Sequence, residues 1–261
     1  MKQALLVVSF GSSVAHARRE IAAVEQALRS ETPGRDFFRA YTSPTIRRIL
    51  LREGEMVPSL GQALEDVSRQ GYEDVAVAVT HLLYGYEYDR IQQEVQAHRA
   101  NFRKLVLGRP LAADTESLRE LARILPECYP AHGDALVLLG HGTEHPANMM
   151  YPALQTALRL TGRNDVYVGT VEGWPGFEDV LSQLRVDGRH SVLLAPFMLV
   201  AGDHARNDMA GAGPDSWKSR LEAAGFEVRC QMDGLGSMER VRDLYRAHLR
   251  SSLEAEEQNG I

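Results

Sequence analysis

The sequence predicts an α/β protein built of two similar lobes, each a parallel sheet flanked by helices. Three observations carry this reading: short, near-continuous apolar runs, amphipathic helical stretches between them, and a weak internal repeat that relates the two halves of the chain.

The apolar runs are Ala4 to Ser9, Phe37 to Tyr41, Val75 to Thr80, Leu105 to Leu107, Leu136 to Leu139, Val166 to Thr170 and Val192 to Pro196. Runs of this length, apolar at almost every position, are what strands buried on both faces look like. Between them, helical patterns cover Ala15 to Ser30, Leu60 to Gln70, Tyr88 to Phe102, Ser117 to Leu125, Ala147 to Leu160, Phe177 to Val186 and Met238 to Glu256. Alternation of strand and helix predicts a parallel sheet with helices on both faces.

The repeat sets Ala4-Leu-Leu-Val-Val-Ser-Phe-Gly-Ser-Ser13 beside Ala135-Leu-Val-Leu-Leu-Gly-His-Gly-Thr143. It also sets Thr80-His-Leu-Leu-Tyr-Gly-Tyr-Glu87 beside Pro196-Phe-Met-Leu-Val-Ala-Gly-Asp-His204, with one residue of slack, so that His81 aligns with Phe197 and Glu87 stands opposite His204. Duplication of this kind predicts two lobes packed face to face. The turn-rich segment Tyr129-Pro-Ala-His-Gly133 marks the boundary, giving an N-terminal lobe 1–130 and a C-terminal lobe 131–261.

The chain has 261 residues, of which 44% are hydrophobic and 25% charged. That balance is typical of an ordered globular protein and far from the composition of a disordered one. The formal net charge of −6 and the lack of a basic stripe exclude a general nucleic-acid binder. Met1 to Gly11 reads as a buried first strand rather than a signal peptide, and no apolar stretch approaches the ~20 residues that cross a bilayer. A cytoplasmic protein without a membrane partner is expected. Cys128 and Cys230 fit no Cys-x-x-Cys pattern and are read as structural.

Ligands of parallel sheets sit beyond the carboxyl ends of the strands, and the unusual residues of this chain gather there. His141 stands between two glycines after one strand, His204 follows another, and Glu172 follows a third. Two imidazoles and a carboxylate suit a divalent transition ion, Co²⁺, Fe²⁺, Ni²⁺ or Zn²⁺, and do not suit Mg²⁺ or Ca²⁺. The bland alternative is that each His is an idle loop residue bonded to backbone. No His-Glu-x-x-His spacing supports a metalloprotease.

The stretches Val7-Val-Ser-Phe-Gly11, Phe38-Arg-Ala-Tyr-Thr-Ser43, Gly85-Tyr-Glu-Tyr-Asp89, Gly140-His-Gly142, Val171-Glu172 and Met198-Leu-Val-Ala-Gly-Asp-His-Ala-Arg-Asn-Asp-Met209 resemble the anaerobic-pathway cobalt chelatases that act on sirohydrochlorin. That family is related to ferrochelatase, and the likeness implies two Rossmann-like halves with the active site in the cleft between them. It further implies insertion of Co²⁺, as substrate metal, into a tetrapyrrole during cobalamin synthesis, with no nucleotide cofactor. By the same resemblance His141, Glu172 and His204 hold the metal, His141 and His204 serve the proton chemistry, and Glu87 is an acidic group facing the same cleft. The chain departs from the family at Tyr84 and Tyr86, where its members carry Asn and Asp, so the rim of the pocket is expected to differ.

A polycarboxylate tetrapyrrole needs donors around its seat. Ser12, Ser13, Thr42, Ser43 and Thr143 lie at helix starts and offer hydroxyls and backbone N–H groups, while His81 ends a strand beside them. Arg47 and Arg48 add charge. The competing reading of the hydroxyls is ordinary helix capping. His145 is a spare ligand candidate, Trp174 and Tyr84 are stacking candidates, and His98 reads as surface.

Three alternatives stay open at this point. One is an iron or nickel chelatase on the same or a related tetrapyrrole. Another is a non-catalytic metal or haem carrier. A nucleotide-dependent oxidoreductase is disfavoured because Gly11-Ser-Ser-Val-Ala-His16 lacks Gly-x-Gly-x-x-Gly. Oligomeric state, a homo-oligomer included, is not fixed by the sequence.

Overall fold

A computed structural model describes residues 1–259, with side chains described through Glu256. The chain forms two compact units, one made of Met1–Ala113 with the chain from Arg242 onward, the other of Asp114–Val241.

The first unit runs β1 (Lys2–Ser9), α1 (Ala15–Glu31), β2 (Asp36–Tyr41), α2 (Pro44–Arg52), α3 (Leu60–Arg69), β3 (Tyr72–Val79), α4 (Tyr86–His98) and β4 (Lys104–Leu107). Its four parallel strands lie in the order β2-β1-β3-β4. Ala4 to Val8 of β1 and Val75 to Val79 of β3 are buried, as central strands covered on both faces must be. α3 starts where Ser59 and Gln62 cap each other: the Gln62 N–H donates to the Ser59 hydroxyl at 3.3 Å, and the Ser59 N–H donates to the Gln62 side chain at 2.9 Å.

The second unit runs α5 (Thr115–Cys128), β5 (Ala135–Gly140), α6 (Met150–Leu160), β6 (Val166–Thr170), α7 (Phe177–Val186), β7 (Ser191–Pro196), α8 (Trp217–Ala223) and β8 (Glu227–Cys230). Its sheet is also parallel, in the order β6-β5-β7-β8. Asp114 caps α5 by accepting from the Ser117 N–H at 2.8 Å. The last helix, α9 (Glu239–Asn259), returns the chain to the first unit, where the buried Tyr245 hydroxyl donates to the Thr80 carbonyl at 2.7 Å. Among the described residues no helix is long and apolar enough to cross a membrane.

The units thus depart from the expected division at 130/131 in two places. α5 packs against α6 and joins the second unit, and the chain from Arg242 joins the first. Three elements escape the sequence reading. α2 and α8 are short, and β8 is a four-residue edge strand that alternates between exposed and half-buried residues instead of forming an apolar run.

Both sheets follow one plan, and their hydrogen bonds fix the equivalences. The Thr80 N–H donates to the Val8 carbonyl at 3.0 Å, and the Phe197 N–H donates to the Leu139 carbonyl at 2.8 Å, so Thr80 and Phe197 are counterparts. Further on, the Asp89 N–H donates to Gly85 at 3.0 Å and the Arg206 N–H donates to Gly202 at 3.1 Å. The loops between these points have equal length. Glu87 therefore matches His204 with no slack, and His81 takes the place of Met198 rather than of Phe197. The same logic pairs Phe10 with His141 and Ser43 with Glu172, because the Ser43 N–H donates to Phe10 at 3.2 Å and the Glu172 N–H donates to His141 at 2.8 Å.

In each sheet the strand order reverses direction between the first and third strands. That switch point opens a crevice at the carboxyl ends, the usual ligand position in such sheets.

Candidate active site

In the second unit the two strands that flank the switch point are β5 and β7, and each delivers a histidine. β5 ends at Gly140, followed by His141 and Gly142. Both glycines are required by packing: a Cβ at 140 would lie 2.2 Å from the Tyr151 ring, and one at 142 would lie 2.6 Å from the Gly173 nitrogen. Gly142 also has φ +84°, a left-handed conformation that side chains resist. The turn after β5 is thereby pressed against the turn after β6. The Asn148 side chain ties the two together, accepting from the Thr143 N–H at 3.1 Å and donating to the Trp174 carbonyl at 2.7 Å. Glu172 stands at the head of that second turn.

His204 follows β7 and opens a π-helical turn, Ala205–Met209, whose Ala205 and Met209 are buried. Its ring meets that of His141 edge-on, with centroids 4.2 Å apart and the two Nε2 atoms 3.1 Å apart. Glu172 Oε2 lies 3.8 Å from His141 Nε2. These side chains are 44 to 61% exposed, open enough for a ligand to reach them.

Hydrogen bonds at the far side of each ring decide what the facing nitrogens can do. His141 Nδ1 contacts the Gly142 carbonyl at 2.9 Å, and His204 Nδ1 contacts Asp208 Oδ2 at 2.7 Å. Both partners can only accept, so each Nδ1 carries the hydrogen and each neutral ring presents a bare lone pair at Nε2. Two lone pairs at 3.1 Å repel unless a cation joins them, either a shared proton or a metal ion. Two metal–nitrogen bonds of ~2.1 Å opened by about 95° separate their nitrogens by ~3.1 Å, so the pair fits one transition ion as it stands. Among the described residues no three or more His, Cys, Asp or Glu side chains stand ready-made around a metal. The arrangement is two close nitrogens with a carboxylate beside them.

Asp208, which holds the His204 ring, is a residue that the sequence reading does not single out. Its signal is the i, i+4 spacing in His204-Ala-Arg-Asn-Asp208, which sets two side chains on one face of a helical turn.

The remaining expected residues separate into engaged and unengaged groups. Ser12 and Ser43 are buried and their oxygens serve turns: Ser12 accepts from the Val14 N–H at 3.2 Å, and Ser43 caps α2 by accepting from the Ile46 N–H at 3.3 Å. Thr143 likewise accepts from the His145 N–H at 3.1 Å, and its own N–H is spent on Asn148. The backbone N–H groups of Ser43 and Thr143, expected to be free for anions, are therefore occupied. Ser13 stands next to Ser12, and its carbonyl accepts from Arg18 at 3.3 Å. His145 Nδ1 accepts from the Ala147 N–H at 3.0 Å, which commits that nitrogen to the turn.

Thr42 and His81 are different. Both lie at the carboxyl end of the first unit's sheet, and the Thr42 hydroxyl and both His81 ring nitrogens are buried without a hydrogen-bond partner. Burial holds the His81 pKa down at about 4, against a smaller opposing pull from Glu87, so its ring is neutral near pH 7. Glu87 lies in the first turn of α4 and accepts from Arg90 at 2.8 Å. Phe10, the counterpart of His141, is 50% exposed, and Trp174 is 53% exposed. Tyr84, by contrast, packs edge-on against the buried Tyr88 at 4.8 Å.

Residues 3–254 match the family described as Cobalt chelatase (CbiK). The sirohydrochlorin cobaltochelatase of Salmonella typhimurium is 40% identical over 260 residues, covering 97% of this chain and 97% of that protein. Sirohydrochlorin cobaltochelatase CbiKC of Nitratidesulfovibrio vulgaris is 32% identical over 259 residues, covering 97% and 92%. Among solved structures, SirB from Bacillus subtilis with Fe³⁺ shares the fold at a TM-score of 0.68 and 18% identity, covering 99% of this chain and 98% of that one. A SirB structure from Bacillus subtilis subspecies spizizenii in complex with cobalt gives 0.66 at 17% identity, with the same coverage. The chain belongs to the cobalt chelatase (CbiK) family.

Proposed function

We propose that this chain is a sirohydrochlorin cobaltochelatase, inserting Co²⁺ into the metal-free tetrapyrrole without a nucleotide, as a step towards cobalamin. The observation that carries this reading is the facing pair of Nε2 atoms of His141 and His204, 3.1 Å apart, in a chain of a cobalt chelatase family.

The balance of the reaction is simple: Co²⁺ enters, four pyrrole nitrogens bind it, and two N–H protons leave. His141 and His204 receive the ion with Glu172 as third ligand. Binding energy from the periphery of the tetrapyrrole bends the macrocycle and tilts its nitrogens towards the metal. As the ion passes over, the two imidazoles recover their lone pairs and serve as proton acceptors, so one pair of groups performs both tasks in sequence. Glu87 is a further acceptor.

Each unit offers the substrate polar groups at the carboxyl end of its own sheet. Thr42 and His81 are the first choice in the first unit, since the Thr42 hydroxyl and both His81 ring nitrogens have no hydrogen-bond partner. The hydroxyl hydrogens of Ser12, Ser43 and Thr143, whose oxygens accept from turns, add donors to carboxylates, and Ser13 adds its hydroxyl beside them. Exposed Phe10 and Trp174 supply flat apolar surface for a macrocycle.

The test is an anaerobic absorbance assay of the purified protein with sirohydrochlorin and Co²⁺, run beside Fe²⁺, Ni²⁺ and the His141→Ala variant. Rapid conversion with Co²⁺, lost in the variant, is expected. Tight binding of metal and tetrapyrrole with no rate above background would instead make the protein a carrier.

A further inference from the structure

The two histidines are not held alike. His141 Nδ1 is bonded to a neutral backbone carbonyl, that of Gly142, whereas His204 Nδ1 is bonded to the carboxylate of Asp208 at 2.7 Å. A carboxylate behind an imidazole fixes the tautomer, fixes the ring's rotation and makes the opposite nitrogen a stronger donor to a metal. The contact is supported from below: Ala205 and Met209 pin the π-helical turn into the core, and the Ala210 N–H closes it by donating to the Ala205 carbonyl at 3.1 Å. His204 and Asp208 are left side by side on its outer surface, 45% and 43% exposed.

The other half of the molecule provides an internal control. Glu87 and Ile91 on α4 are separated by the same four positions as His204 and Asp208, and by the equivalences above they are their counterparts. Ile91 is buried in the core at 1% exposure. Where the leading residue is a carboxylate the fourth residue on is apolar, and where it is an imidazole an aspartate stands there. The two positions also differ in burial, Ile91 facing the core and Asp208 facing solvent, and the aspartate stands where there is an imidazole for it to hold.

We infer that Asp208 is a positioning residue for metal capture: it orients His204 and strengthens its Nε2 as the anchoring donor to Co²⁺. The inference rests on His204 being a metal ligand, and the experiment separates the two roles. Wild type, D208A, D208N, D208E and H204A are each titrated with Co²⁺ under anaerobic conditions without tetrapyrrole, following the visible ligand-field bands of the bound ion. Steady-state insertion is measured in parallel.

D208A and D208N are expected to raise the Kd for Co²⁺ by about 10- to 100-fold and to shift the ligand-field bands, with D208E recovering most of the loss. The KM for Co²⁺ rises and that for the tetrapyrrole stays unchanged. A purely structural aspartate would leave the bands of the bound ion as they are. If D208N and D208A bind Co²⁺ within twofold of wild type with the same spectrum while H204A loses it, the role of Asp208 is overturned and that of His204 survives. If H204A itself binds Co²⁺ like wild type, the ligand reading fails and this inference falls with it. D208N is isosteric with the native side chain and decides between these outcomes should D208A fail to fold.

Discussion

His204 occupies in the second unit the position that Glu87 occupies in the first. The hydrogen bonds that bracket the two loops, Thr80 to Val8 and Asp89 to Gly85 in one, Phe197 to Leu139 and Arg206 to Gly202 in the other, leave no freedom in the match. The two units differ in chemistry at this place: in the second an imidazole stands beside His141, in the first a carboxylate stands near His81. On the proposed mechanism the histidines of the second unit take first the metal and then protons, and Glu87 of the first unit is a further proton acceptor.

Replacing Glu87 with Gln should therefore leave Co²⁺ binding as it is and slow insertion. A positioned proton acceptor is worth ~10²-fold or more, so kcat is expected to fall by about that factor. Metal titration and steady-state rates on the same preparation check this. Loss of Co²⁺ affinity in E87Q would assign Glu87 to the metal instead.

His81 should make the fold sensitive to acid. Its pKa is lowered from an ordinary 6.5 to about 4 by burial, so between those values the unfolded chain binds the proton and the folded chain does not. Stability contributed by the neutral ring is complete above about pH 6.5 and declines as pH falls towards 4, by ~3 kcal/mol in all. His81→Met, which installs the side chain of the counterpart Met198, should flatten this part of the stability curve. Equal acid sensitivity in denaturation midpoints of the two proteins would contradict the assignment.

Gly142 should tolerate no side chain. A Cβ there would sit 2.6 Å from the Gly173 nitrogen, on backbone that cannot swing aside, and the residue's φ is +84°. Gly142→Ala is expected to cost on the order of 2–3 kcal/mol. It should also weaken Co²⁺ binding, because the turn carrying His141 is pushed off the turn carrying Glu172. Thermal melting and metal titration both report on it; an unchanged melting temperature would show that the two turns are not packed as tightly as the distances require.

Much of the fold is legible in the sequence because burial writes itself into strands. Ala135 to Gly140 is buried at every position and reads as an unbroken apolar run, whereas Glu227–Cys230 lies at a sheet edge, needs no such run and gives no signal. His141, Glu172 and His204 stand out because they interrupt the pattern at strand ends. Asp208 does not, since a polar residue in a helical turn looks like any solvated one until the imidazole beside it is seen. Ser12 and Ser43 show why hydroxyls at helix starts are ambiguous, since they suit anions and local turns equally: here the Ser12 oxygen serves a turn and the Ser43 oxygen caps α2. The sequence alone sets His81 against Phe197, one position out, because Thr80 and Pro196 both look like the last residue of a strand. Only the hydrogen bond from Thr80 to Val8 shows that Thr80 pairs with Phe197.

In this mechanism the ion held by His141 and His204 is the ion inserted. A single-turnover experiment reads that identity without intermediates: the protein is loaded with one equivalent of Co²⁺, freed of unbound metal and mixed anaerobically with sirohydrochlorin. Wild type should yield cobalt-tetrapyrrole in proportion to the cobalt it carries, and His141→Ala/His204→Ala should yield none, since it retains no ion through the desalting step. A double variant that keeps its cobalt and delivers it at the wild-type rate would show that the metal passes through some other site.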